Sequence, residues 1–355
     1  MENNKTNVAV TDRRSRLSRE GYEFDPDAPR WKLSRDTEIE LESILDVASP
    51  TLYKGFSAAL AECAQSHSAW HTSNMNSAMK LLLRTITSVG NKIEILDTTS
   101  IINFKAKLDK RTEYHLGRLV GFFNDWSTAQ HPGLDAAVVP LLYGWTLAGN
   151  PKGEAVTLRC PLRGPLTTME FALLQERIID ALEDGKIDLE DFTLISLFIA
   201  SGRRPTQLAD AKWCDFTPSP KPETPGMLEI ARRKGKGSEF RAQFKTFAMS
   251  PELNLSFLAL RDVSHSRARS MLPAFVEEHL SQLPIFPDWR RLKSYADSSP
   301  MVVGSAVRGE TLHSKSLSLG GRLTKVVDNL SITSDRMPGS IHVTPIRLRR
   351  TLATR

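Results

Sequence analysis

The sequence predicts a mainly α-helical protein with a small antiparallel β-sheet, divided into two domains. Three observations carry that expectation. Apolar residues recur at helical spacing through most of the chain, as in Met79, Leu82, Leu83 and Ile86. One stretch alternates instead: residues 227–234 and 240–249 flank Gly235-Lys236-Gly237-Ser238, the pattern of a hairpin. The chain has 355 residues, 40% hydrophobic and 25% charged, which suffices for two ordinary globular cores.

In chain order, residues 1–48 are polar and proline-dotted with a basic start at Arg13, Arg14 and Arg16, and they read as an arm or loosely packed entry segment. Residues 49–150 read as a helical domain. One helix is expected over 76–89, stopped by Gly90. Asp97-Thr98-Thr99-Ser100 offers capping side chains before Ile101, Ile102, Phe104 and Leu108. A third helix spans 112–126 with Leu116, Leu119, Val120 and Phe123 inward. Scattered prolines and glycines over 131–164 mark the joint, with the linker proper at 151–164.

The second domain, 165–355, opens on a capping box, Thr167-Thr168-Met169-Glu170, followed by Phe171, Leu174, Ile178 and Leu182 and closed by Gly185. Residues 192–200 are apolar apart from Thr193 and Ser196, so this helix belongs at the centre of the core. After the hairpin, Ser250-Pro251-Glu252 restarts a helix. Trp70, Trp126, Trp145 and Trp213 read as core anchors.

Composition narrows the function classes. No apolar run reaches the ~18 residues of a membrane span, and 134–147 is broken by Asp135 and Pro140. The first twenty residues lack the apolar core of a signal peptide. Three scattered cysteines, Cys63, Cys160 and Cys214, argue for a reducing compartment, so a cytoplasmic location is expected. A net charge of +6 and a pI near 9.2 permit a polyanionic partner, and the placement of the cations must decide it.

Three basic clusters stand out in the second domain. Ser201-Gly202-Arg203-Arg204-Pro205-Thr206-Gln207-Leu208 follows the apolar helix, where rigid backbone can hold a guanidinium fork for a phosphate. Arg232-Arg233-Lys234-Gly235-Lys236 puts several cations on the hairpin turn. Pro345-Ile346-Arg347-Leu348-Arg349-Arg350-Thr351 begins a terminal run with four arginines in its last nine residues and no acid. Each cluster alone reads equally well as a solvated surface with casual ion pairs. Their order in one domain carries more.

That order resembles the tyrosine recombinase (phage integrase) family. "SGRRPTQLADAKWCDF" is similar to the family's first-arginine box, "LEIARRKGKGSEFRAQF" to the strand pair with its lysine, and "VTPIRLRRTLATR" to the second-arginine box. The resemblance puts the catalytic roles on Arg204, Lys234 and Arg349, with Lys236 also fitting the turn. It implies duplex DNA as partner and DNA-contacting roles for Arg203, Arg232, Lys236 and Arg347. It further implies a core-binding (SAM-like) domain over 49–150, where Lys105, Lys107, Lys110 and Arg111 would face DNA. The implied chemistry is attack of a tyrosine on the scissile phosphate, giving a 3′-phosphotyrosyl link. The two arginines stabilise charge that develops at the phosphorane, and the lysine protonates the leaving 5′-oxygen. No metal or cofactor is implied. Such proteins act in site-specific integration or excision of mobile elements, usually as tetramers on DNA.

Three departures qualify the match, the mildest being Gln207 at the family's glutamate-like position after the first arginine. Ile346 stands where the family has a histidine three residues before the second arginine, and His342 is nearby at the wrong spacing. The sequence ends at Arg355, six residues past Arg349, whereas the nucleophile is expected further on; Tyr22, Tyr53, Tyr114, Tyr143 and Tyr295 all precede it. The reading is therefore a recombinase truncated before its tyrosine and inactive alone. The alternatives are a non-catalytic or decayed DNA-binding relative and, last, a basic helical scaffold. Two further signals are weak. Cys63, His67 and His71 have metal-compatible spacing but no clear fourth ligand, so no metal site is expected. Residues 234–238 lack the order of a nucleotide-binding loop.

Overall fold

The computed structural model describes residues 15–87, 91–149, 153–219, 221, 224–232, 240–272 and 275–355. The chain divides into two compact units, residues 1–152 and 153–355, each with its own hydrophobic core. Both are mainly helical, with small antiparallel sheets, as the periodicity predicts. No helix among the described residues is long and apolar enough to cross a membrane.

The N-terminal unit begins with two short hairpins, β1 (Arg16–Leu17) with β2 (Glu23–Phe24) and β3 (Arg30–Lys32) with β4 (Glu38–Glu40). Six helices follow: α1 (Glu42–Leu45), α2 (Pro50–Ser66), α3 (Ala69–Ile86), α4 (Thr98–Ala106), α5 (Tyr114–Thr128) and α6 (Val138–Tyr143). The described part of the expected arm is thus packed structure. Phe24, Trp31, Leu33, Ile39 and Leu41 are buried in the same core as α2, α3 and α5. Alternation at Trp31, Leu33, Ile39 and Leu41 carried that signal, but the runs are too short to stand out from loop. Helix α3 starts earlier than expected because Ser68 caps it, accepting from the His71 amide. Gly90, its expected stop, lies outside the described residues.

The joint is narrower than composition suggested. Residues 131–149 belong to the first unit, where Val138 and Leu142 are buried. The backbone of Pro132 passes so close to Gly55 that no side chain fits at Gly55. Two apolar residues also face the other way: Trp70 is 67% exposed and Ile102 49% exposed, so neither is a core anchor.

The C-terminal unit comprises α7 (Glu154–Thr157), α8 (Thr168–Glu183), α9 (Leu189–Ser201), α10 (Pro205–Ala209), β5 (Phe216–Thr217), β6 (Gly226–Ala231) and β7 (Phe244–Met249), then α11 (Pro251–Met271), α12 (Glu277–Gln282), α13 (Trp289–Lys293), α14 (Pro300–Arg308), α15 (Ser316–Asn329) and α16 (Pro345–Ala353). Strands β5, β6 and β7 form one antiparallel sheet in that order, with Ala231 opposite Phe244 at the end where the chain passes from β6 to β7. Helix α9 buries Thr193, Leu194, Ile195, Leu197, Phe198 and Ile199, almost its whole circumference, and so sits in the core.

Several starts share one device: a hydroxyl that accepts an amide two or three positions on, then proline at the first helical position. Ser49-Pro50, Ser250-Pro251 and Thr344-Pro345 all use it. The box at Thr167 forms as expected, each side chain accepting from the other's amide. Glu170 does more than cap. Its carboxylate, fully buried, accepts from Arg336 Nη2 at 2.7 Å, Arg347 Nη2 at 3.2 Å and Ser334 Oγ at 2.6 Å. Burial alone would raise this carboxyl, but the hydrogen bonds from Arg336, Ser334 and the Thr167 amide outweigh it and hold it below the ordinary value.

Candidate nucleic-acid interface

The first basic cluster begins where α9 stops. Gly202 takes a left-handed conformation (φ 56°) and its amide closes the helix on Phe198 O, so the chain turns sharply into Arg203 and Arg204. Pro205 then opens α10. The last cluster is α16, capped by Thr344, whose hydroxyl accepts from the Arg347 amide. These two segments, far apart in sequence, lie side by side. A Cβ on Gly202 would come within 2.9 Å of Leu352 Cδ1 and 3.6 Å of Arg349 Cα. Gly320 of α15 is wedged between them from another side, its Cβ position 3.4 Å from Pro345 Cγ and 3.6 Å from Pro205 Cγ. Small residues at 202 and 320 let the two arginine-bearing backbones approach.

The sheet joins the same place. Gln207 accepts from the Arg204 amide at 3.3 Å and donates through Nε2 to Ala231 O at 3.1 Å, tying the end of β6 to the arginine turn. Arg232, exposed, follows directly. Just ahead of β7, Arg241 makes a two-pronged pair with Asp215, both contacts 2.6 Å, and donates to Asp210 O at 2.7 Å. It does so at φ 58°, a conformation uncommon for a side-chain-bearing residue. Both ends of the hairpin are therefore fastened. Lys234 and Lys236 lie outside the described residues.

Among the described residues neither Arg204 nor Arg349 makes a salt bridge, and Arg203 Nε is buried without a hydrogen-bond partner. Partial burial, and then the like charge of Arg349, lower the pKa of Arg204. Two guanidiniums that repel one another across a shared space form a site whose natural complement is an anion.

Arg347 requires a correction. It is 1% exposed and its donors are committed: Nε to Gly164 O at 3.0 Å, Nη1 to His342 O at 2.7 Å, Nη2 to Glu170. It cannot contact DNA. Residues 347 and 349 are two apart on a helix and point to opposite sides. Ile346 is 57% exposed and supplies no hydrogen-bonding group, while His342 pairs with Asp328.

The cations expected on the N-terminal unit divide. Lys105 Nζ lies over the Trp145 ring at 4.2 Å and 4.0 Å from Glu113, and Lys107 Nζ donates to Thr85 O at 2.6 Å. Lys110 and Arg111 remain exposed on the turn before α5. The structure also assigns places to groups the sequence reading passed over. Lys212 is buried, donates to Val307 O and Arg308 O at 2.8 Å, and is pushed down to about 8 by burial and then by Arg241. His313 lies buried beside α10, its Nδ1 2.6 Å from Ala209 O. The spacing Lys212-Trp213-x-Asp215 was visible, but its roles (a carbonyl cap, a core ring and the Arg241 acceptor) needed the fold.

No protein-family model matches the chain. None of the curated proteins matches it. Among solved structures the chain is similar to the crystal structure of XerA recombinase, with a TM-score of 0.33 and 13% identity over 86% of this chain and 83% of that one. A likeness at that level carries no weight for function, which is judged from the residues.

Proposed function

We propose that this protein is a DNA-binding member of the tyrosine-recombinase type, using Arg204 and Arg349 to hold the phosphate at which a strand is cut and rejoined. The observation that carries this reading is the meeting of the two motif arginines, 145 positions apart in sequence, at one junction with no ionic partner for either among the described residues. Mere solvated charge does not need glycines at 202 and 320 to bring two cations together against their repulsion. In this reading Arg204 and Arg349 pair with the non-bridging oxygens and stabilise the charge that grows on them in the phosphorane. Lys234, on the hairpin tied down by Gln207 and Arg241, protonates the departing 5′-oxygen. Arg203, Arg232, Lys236, Lys110 and Arg111 make phosphate contacts that position the duplex without reading sequence. None of the five tyrosines is assigned as nucleophile.

A second reading, a DNA-binding relative without cleavage, is favoured by one observation: Ile346 offers no proton-transfer group at the family's histidine position. One experiment separates the two. The coding frame is read past codon 355, the chain is expressed through the next tyrosine it encodes, and nicked duplex is supplied to trap a covalent 3′ adduct. An adduct that disappears in Arg204→Ala supports the first reading. Duplex binding with no adduct, or no such tyrosine in frame, supports the second. Absence of duplex binding overturns both.

A further inference from the structure

We propose that Cys63, His67 and His71 of the N-terminal unit form a binding site for a divalent transition ion, with Zn²⁺ the ion their donor set fits. The sequence spacing alone left this as three weak ligands. The fold supplies what spacing could not. Cys63 and His67 lie one turn apart at the end of α2, where His67 ends the helix, and the chain breaks at Ser68 before α3 carries His71. The break folds the third donor back, so that the ligand atoms of all three residues lie within 4.8 Å of one another. A tetrahedral zinc site sets such donors ~3.5 Å apart, a closure that side-chain rotation of two partly exposed imidazoles supplies.

The surroundings suit the task. The imidazoles of His67 and His71 stack with centroids 4.7 Å apart and planes 23° from parallel. The Ser66 hydroxyl is 2.9 Å from His67 Nδ1, an outer partner that steadies the ring and leaves Nε2 for an ion. Cys63 Sγ is buried, 3.7 Å from Thr72 Oγ1 and screened from oxidants. Ion binding breaks the S–H bond, forms the S–metal bond and releases the proton to solvent. Thiolate and imidazole together select zinc over magnesium or calcium, and water fills the fourth position on the exposed side. The same corner holds the N-terminal hairpin: the Arg19 amide donates to Ala64 O and the Ala69 amide to Glu20 Oε1, both at 2.8 Å. An ion here joins α2 to α3 at the corner where the hairpin already docks.

The test is titration of the full chain with Co²⁺, kept reduced, followed by displacement with Zn²⁺. The expected result is one equivalent bound with a near-ultraviolet sulfur-to-cobalt charge-transfer band, and a melting temperature raised by Zn²⁺. Cys63→Ser abolishes the band although Cys160 and Cys214 remain. His67→Asn, at a partly exposed position that tolerates change, weakens binding on the order of tenfold and reduces the thermal shift at a given Zn²⁺ concentration. Absence of the band, its survival in Cys63→Ser, or unchanged affinity in His67→Asn overturns the proposal. If Cys63→Ser does not fold, His67→Asn decides alone.

Discussion

Two arginine clusters share the C-terminal unit and α16 contributes to both. On one side of the helix Arg347, with Arg336, surrounds the buried Glu170 carboxylate, and every donor has an acceptor. On the other, Arg349 meets Arg204, and neither makes a salt bridge among the described residues. The first cluster is satisfied internally and fastens Gly164 and Glu170 to α16. The second holds two like charges that act on one another, and in the proposed function a phosphate would relieve that repulsion. Charge that is satisfied internally is structure; charge assembled against its own repulsion marks a binding surface.

Salt should separate the two clusters most strongly. If the open cluster and its neighbours neutralise about six phosphates, duplex affinity falls roughly a thousandfold between 50 and 200 mM salt, measured by fluorescence anisotropy. The melting temperature, which depends on the closed cluster, should barely move over that range. A flat binding response would contradict the phosphate contacts.

Next in size is the closed cluster itself. Glu170→Ala leaves Arg347 buried without a countercharge, and chemical denaturation should register a loss of about 3–5 kcal/mol. Below it comes the open cluster. Arg204→Ala and Arg349→Ala should each leave unfolding free energy within about 0.5 kcal/mol of the parent, since each removes a repulsion and no salt bridge. A large destabilisation by either would show that the site is structural after all.

A pH-dependent effect concerns Lys212, a buried cation beside the fastening pair Arg241–Asp215. Its folded pKa is depressed to about 8, so above that value the unfolded chain binds more protons than the folded one. Lys212 therefore disfavours folding below pH 8, and the penalty is released as pH rises from about 8 toward the ordinary lysine value. Unfolding free energy of the parent should rise relative to Lys212→Met by at most about 1.4 kcal/mol per pH unit in that window. Parallel curves would place Lys212 in an environment that does not perturb it.

Much of this was legible in the sequence. The capping box at Thr167, the apolar helix around Phe198, the Thr-Pro start of α16 and the hairpin strands follow from local chemistry. The arginine boxes were visible as boxes. What a run of cations does not disclose is which of them face inward: Arg347 and Arg349 look alike in composition. Helical phase could have told them apart, because Arg347, Leu348 and Thr351 share the buried side. Arg336 could not have been found, since its partner Glu170 reads as an ordinary cap until residues 334–336 are brought against it. Short strands hid the packing of residues 15–48 for a related reason: two or three alternating residues carry too little pattern, and their burial depends on α2 and α3. The metal-compatible spacing at Cys63, His67 and His71 was visible, but only the break at Ser68 brings its third member round.

The most direct test of the central claim is a double-mutant cycle on duplex DNA binding with Arg204→Ala, Arg349→Ala and the pair, at fixed salt. If both guanidiniums hold one phosphate, each single change costs about 1.5–3 kcal/mol of binding. The double change then costs less than the sum, all three variants keeping the parent's melting temperature. Unchanged affinity in the single variants, or losses that simply add, would contradict a shared phosphate site.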